Sequence, residues 1–129
     1  MISSRCRSPS AAGIRLNLAR TKEYPQGSAR HGYEFTAPLD QTGHIDAATW
    51  KKERAHCRVR RFWGDEEEEI GHLIHRPGGS WAFHYDIDGD PDDDEVGFKF
   101  ESHVFNEGEY VSISEHDGTL RTFRVVSVS

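Results

Sequence analysis

The stretch Tyr110-Val-Ser-Ile-Ser-Glu-His-Asp-Gly-Thr-Leu-Arg-Thr-Phe-Arg-Val-Val-Ser-Val128 sets two alternating runs around Asp117 and Gly118. Asp-Gly is the dipeptide of a two-residue type I′ hairpin, whose central positions both need positive φ. With Asp117 and Gly118 central, His116 opposes Thr119, Ile113 opposes Thr122 and Val111 opposes Arg124. Val111, Ile113, Leu120, Val126 and Val128 then share one face, while Tyr110, Phe123 and Val125 share the other. A strand pair apolar on both faces suits a sheet that curls on itself better than a flat sheet with one wet side.

Upstream, the pattern repeats. Trp81-Ala-Phe-His-Tyr-Asp-Ile87 alternates, with Trp81, Phe83, Tyr85 and Ile87 inward and Ala82, His84 and Asp86 outward. Val96-Gly-Phe-Lys-Phe-Glu101 predicts another strand with Val96, Phe98 and Phe100 inward. Tyr33–Ala37, His56–Trp63 and Ile70–Arg76 read as strands closed by Pro38, Gly64-Asp65 and Pro77-Gly78-Gly79-Ser80. One helix is expected over about 46–55, with Asp46 as N-cap and Trp50 as its anchor. The fold class is therefore all-β: a small curled antiparallel sheet or barrel with one short helix. The C-terminal hairpin also resembles the strand pair of SH3-like barrels, which implies a fold type and no activity.

Charge divides the chain. Residues 1–31 hold six basic side chains (Arg5, Arg7, Arg15, Arg20, Lys22 and Arg30) against Glu23 alone, whereas residues 32–129 carry ten basic against twenty-one acidic. Thirteen of the fourteen aromatic residues lie in the second part, so the core is expected there. Residues 1–31 are read as a disordered basic tail, with a transit-like composition in which Arg15 breaks the apolar run between Ile14 and Leu16. Residues 32–129 are read as a single acidic domain. Cys6 and Cys57 make no disulfide framework, which points to a reducing cytoplasm, and no stretch is apolar enough to span a membrane.

The domain's acids gather in two runs. Asp65-Glu-Glu-Glu-Glu69 is one; the other is Asp86–Glu95, where seven of ten residues are carboxylates. In a meander, these connections leave the sheet at the same end. Two carboxylates about 7 Å apart repel by roughly 0.6 kcal/mol in water before screening, so such a pole invites a cation or a basic partner. Asp65, Glu66, Glu67, Glu68, Asp92, Asp93, Asp94 and Glu95 are the expected partner-binding residues.

Metal chemistry has a partial pattern. Asp86, Asp88 and Asp90 fit the first three EF-hand positions, but Pro91 stands where glycine is needed and Gly97 where the bidentate glutamate belongs. An EF-hand is excluded, which leaves weak divalent binding and no resident cofactor. His84 and Asp86 share a strand face, and with His72 they form a candidate site for a metal-dependent hydrolase. Arg58, Arg60 and Phe62 share a face suited to stacking on single-stranded nucleic acid, although the domain's negative charge opposes phosphate. Cys57 alternates with Val59 and Trp63, so it is read as a buried small hydrophobe. No nucleophile elbow, phosphate loop or dinucleotide fingerprint is present. The leading expectation is a non-enzymatic interaction module whose acidic pole meets a basic protein surface or divalent cations.

Overall fold

A computed structural model describes residues 10–86 and 94–129. Eight strands close into an antiparallel barrel in simple up-and-down order, each paired with its sequence neighbours and the last with the first. They are β1 (Ser10–Leu18), β2 (Ser28–Leu39), β3 (Arg58–Trp63), β4 (Glu69–His75), β5 (Trp81–Tyr85), β6 (Glu95–Phe98), β7 (Tyr110–Ser114) and β8 (Leu120–Val128). Among the described residues no helix is long and apolar enough to cross a membrane.

The first strand corrects the expectation of a tail over 1–31 for residues 10–31; residues 1–9 lie outside the described residues. Gly13-Ile-Arg-Leu-Asn-Leu18 alternates with period two; Ile14, Leu16 and Leu18 are buried while Arg15 and Asn17 lie on the outer side. The Arg15 that interrupts an apolar run is thus the outward half of a strand. β1 pairs with both β2 and β8, which removes every free sheet edge. Gly32 allows this closure, because a Cβ there would stand 1.9 Å from the Leu16 carbonyl oxygen.

The β7–β8 hairpin corrects the register. Tyr110 faces Arg124, Val111 faces Phe123, Ile113 faces Arg121 and Ser114 faces Leu120. The Glu115 N–H donates to the Thr119 carbonyl at 2.9 Å, so three residues, not two, form the turn. Gly118 at φ 84° supplies its left-handed position. A slip of one residue exchanges the faces. Val111, Ile113, Phe123 and Val125 fill the barrel, while Leu120 is 56% exposed. The same inversion holds on β6: Glu95 and Gly97 point inward, and Phe98 is 49% exposed.

Helix α1 (Ala47–Glu53) forms as expected, with the Asp46 carboxylate accepting from the Thr49 N–H at 2.9 Å. A 3₁₀ turn (Arg54–His56) follows it. Buried Trp50 donates from Nε1 to the Leu73 carbonyl at 2.9 Å and meets Trp81 edge-on, closing one end of the barrel. Cys57 is buried, and burial followed by the charge of Glu53 pushes its thiol up to about 11. The interior is packed with rings: Phe35, Phe83, Phe100 and Phe105 contact one another at centroid separations of 5.1–6.3 Å. Eight strands enclose a space that side chains can fill, and here they fill it.

Candidate functional site

The other end of the barrel, the mouth, differs in character. The β1–β2, β3–β4, β5–β6 and β7–β8 connections all leave from it, because successive strands run in opposite directions. Strand alternation sends charged residues into it. Arg61 follows Val59 inward on β3, Glu115 continues the inward row of Val111 and Ile113, and Glu95 opens β6.

These side chains meet in a buried network. Glu95 is completely buried and accepts four hydrogen bonds: from Tyr33 Oη at 2.8 Å, Tyr85 Oη at 2.6 Å, the His116 N–H at 3.1 Å and His116 Nδ1 at 2.7 Å. Glu115 accepts from Arg121 at 2.5 Å, and its second oxygen meets the Tyr33 hydroxyl. Arg61, 7% exposed, lies 3.4 Å from Glu115, 3.6 Å from Glu69 and 3.7 Å from Glu95, with its guanidinium 4.3 Å above the Trp63 ring. Its Nε is buried without a hydrogen-bond partner among the described residues.

The environment holds these groups in definite states. Burial, followed by the negative charge of Glu95, pushes the Tyr33 and Tyr85 phenols far above their ordinary range, so both keep their hydrogens. Burial opposes the charge on Arg61, but Tyr33, Glu115 and Glu95 together outweigh it and the guanidinium stays protonated. Such a network can hold and share a proton.

Glu95 therefore leaves the set of partner-binding acids: it faces inward and its oxygens are saturated. Asp94 leaves it too, since its side chain is 7% exposed and 2.6 Å from His84 Nδ1. Asp65 pairs with Arg30 at 2.6 Å and Glu68 with Arg60 at 2.5 Å, both on the surface. Glu66 and Glu67 are exposed and make no ion pair among the described residues. Asp88, Asp90, Asp92 and Asp93 lie outside the described residues.

On the outer face of β4 and β5, His72 stands directly opposite His84, and His72 Nδ1 is 3.0 Å from Asp86. The sequence brings these residues together as expected, but Arg58 joins them. Its guanidinium lies 3.3 Å from His72 Nε2 and 3.3 Å from Asp86 Oδ2, while His84 turns to Asp94. Among the described residues no three His, Cys, Asp or Glu side chains are placed to hold a metal ion.

Arg58, Arg60 and Phe62 do share the outer face of β3. Phe62, however, is 7% exposed beneath the guanidinium groups of Arg15 at 4.5 Å and Arg60 at 5.0 Å, which leaves no open ring for a base. Arg60 bridges Glu34 and Glu68, and Arg15 also reaches Glu34. The hydrogen bond from Arg60 is the main reason the Glu34 carboxyl sits below its ordinary value. The groove of about 320 Å³ along this face is lined by arginines already paired with acids.

The inward charges had a signal in the sequence. A polar residue in an inward slot of an apolar alternation, as Arg61 is between Val59 and Trp63, marks a buried polar network. The chain matches no protein-family model, no curated protein and no solved structure.

Proposed function

We propose that this barrel is a non-catalytic binding module that presents the acidic rim of its mouth to a basic protein surface. Support comes from one observation above all: the β3–β4 turn carries Glu66 and Glu67 exposed and outside any described ion pair, at the end where β5 finishes and β6 begins. Residues 10–129, which include β1, carry twenty-two acidic against fourteen basic side chains. Like charges crowded on one rim gain by meeting cations, and the gain falls with added salt. The cytoplasm is the compartment proposed, on the two cysteines that form no framework. Neither hydrolysis nor nucleic-acid binding is favoured, because the Arg58 guanidinium contacts both His72 and Asp86, and because Phe62 is covered.

A fluorescent octalysine peptide, titrated with the protein at low salt and followed by anisotropy, tests the proposal. Saturable binding that weakens with salt is expected. The variant with Glu66→Lys and Glu67→Lys should bind about tenfold more weakly, each reversed surface charge altering binding by roughly 0.7 kcal/mol. Binding that ignores both salt and the substitutions refutes it. Calcium that raises the melting temperature where octalysine neither binds nor stabilises would replace the protein partner with a divalent cation.

A further inference from the structure

On the outer wall, strand register sets Tyr110, Arg124 and Asn17 side by side across three strands, since Tyr110 pairs with Arg124 and Arg124 with Asn17. Such neighbours stand about 5 Å apart on one face. That face is the outer one, because Leu16, Leu18, Val111, Phe123 and Val125, which alternate with them, are buried. Ser28 at the start of β2 pairs with Leu18, and the β1–β2 connection brings Arg20 and Gln26 to the same place. These six polar and aromatic side chains help to line a hollow of about 300 Å³. No acidic side chain lines it, although the body as a whole is acidic. Arg15, Arg30, Arg58, Arg60, Arg61 and Arg121 each meet a carboxylate. Arg20 and Arg124 are exposed and have no such partner among the described residues; Glu107 shares an adjoining hollow with Arg124 without reaching ion-pair distance.

We propose that this hollow binds a nucleoside monophosphate, with the phosphate on Arg20 and Arg124 and the base stacked on Tyr110. Two guanidinium groups lining one acid-free hollow suit an anion, and their planar donor forks match phosphate oxygens. Tyr110 leaves 57% of its surface in water, and an open phenol ring is a stacking platform for a base. The Asn17 and Gln26 amides each offer donors and an acceptor to base edges or ribose hydroxyls. Part of the lining is already fixed in place. Arg15 Nε donates to Asn17 Oδ1 at 3.0 Å; Ser28 Oγ accepts from the Arg30 N–H at 3.1 Å and lies 2.7 Å from His31 Nδ1. Size favours a single nucleotide, because about 300 Å³ is the lower end of small-ligand sites. A longer strand would carry its phosphates past the exposed Glu107 and Glu109 beside Tyr110. The hollow is separate from the acidic rim and needs no partner there.

The test is an NMR titration of the isotope-labelled full chain at low salt with AMP, GMP, CMP and UMP in turn, and with inorganic phosphate. At least one nucleotide should give saturable amide shifts centred on residues 17–20, 26–29, 110 and 124, with millimolar or tighter affinity. Arg20→Gln and Arg124→Gln should each weaken that nucleotide about tenfold, the size of one lost charge-assisted hydrogen bond. Tyr110→Ala should weaken it by a similar factor while leaving the feebler binding of inorganic phosphate unchanged. All three side chains are exposed, and the wild-type map needs none of the variants. No saturable shift with any of the nucleotides overturns the proposal, as do shifts centred on Arg15, Arg58 and Arg60. Inorganic phosphate that binds as tightly as the best nucleotide, or nucleotide binding untouched by Tyr110→Ala, overturns it equally. An octathymidylate strand that binds the same residues more than about tenfold tighter than any monophosphate would replace the nucleotide with single-stranded nucleic acid.

Discussion

Replacing Arg61 by methionine should be the most damaging single polar change in this barrel. The guanidinium lies 3.4 Å from Glu115 and 3.7 Å from Glu95, carboxylates that are 1% and 0% exposed. At an effective dielectric of about 20, each ionised contact is worth about 5 kcal/mol before the cost of desolvating the charges, which cancels most of it. What survives is the asymmetry of removal: methionine fills the volume but leaves two buried acids with one cation fewer. Breaking a buried network in this way costs about 3–5 kcal/mol, a large share of the roughly 5–15 kcal/mol that holds a domain together. The triple variant Arg61→Met, Glu95→Gln, Glu115→Gln removes the charges together and should recover most of the loss. Urea denaturation followed by tryptophan fluorescence measures all three proteins. An Arg61→Met loss below about 1 kcal/mol, or a triple variant no better than the single, would refute the view that uncompensated buried charge is the cause.

Three further outcomes test the fold and its titration. Leu16→Ala, in a segment whose composition reads as a tail, should cost about 2–5 kcal/mol in urea denaturation, because the side chain is fully buried in a closed barrel; a loss near zero would detach β1 from the core. Phe123→Ala should cost about 3–5 kcal/mol, whereas Leu120→Ser should stay within about 0.5 kcal/mol; the reverse order would restore the two-residue turn. Burial first, then the charges of Arg30 and Arg61, hold the His31 imidazole below its ordinary 6.5. Its contribution to stability is therefore present above that value and lost as pH falls below it, and an NMR titration midpoint for His31 at or above 6.5 would contradict this.

Composition misled where periodicity would not have. The first thirty-one residues are basic and poor in aromatics, and that average hid the in–out rhythm of Ile14, Leu16 and Leu18. The Asp117-Gly118 pair announced a hairpin correctly, but the dipeptide suits both a two-residue turn and a three-residue turn ending in a left-handed glycine. Choosing between them turns every side chain of β8 to the opposite face relative to β7. Only the packing of Phe123 and Val125 against the rest of the core makes that choice. The site followed the same rule. Strand spacing alone puts His84 and Asp86 on one face; that His72 and Arg58 join them depends on the pairings of β4 with β5 and of β3 with β4.

From its amino acids alone, this chain is bound to be an all-β body with one helix capped by Asp46 and anchored by Trp50, because alternation, turn dipeptides and a capping residue are local properties. Tertiary structure alone decides that the sheet closes through β1, and which glutamates face water. Glu66 and Glu95 are chemically alike and both belong to acidic runs, yet one is exposed and the other fully buried. Glu66 sits in the β3–β4 turn, open to water, whereas Glu95 opens β6 on its inward side, and that direction is settled by strand register across the whole sheet.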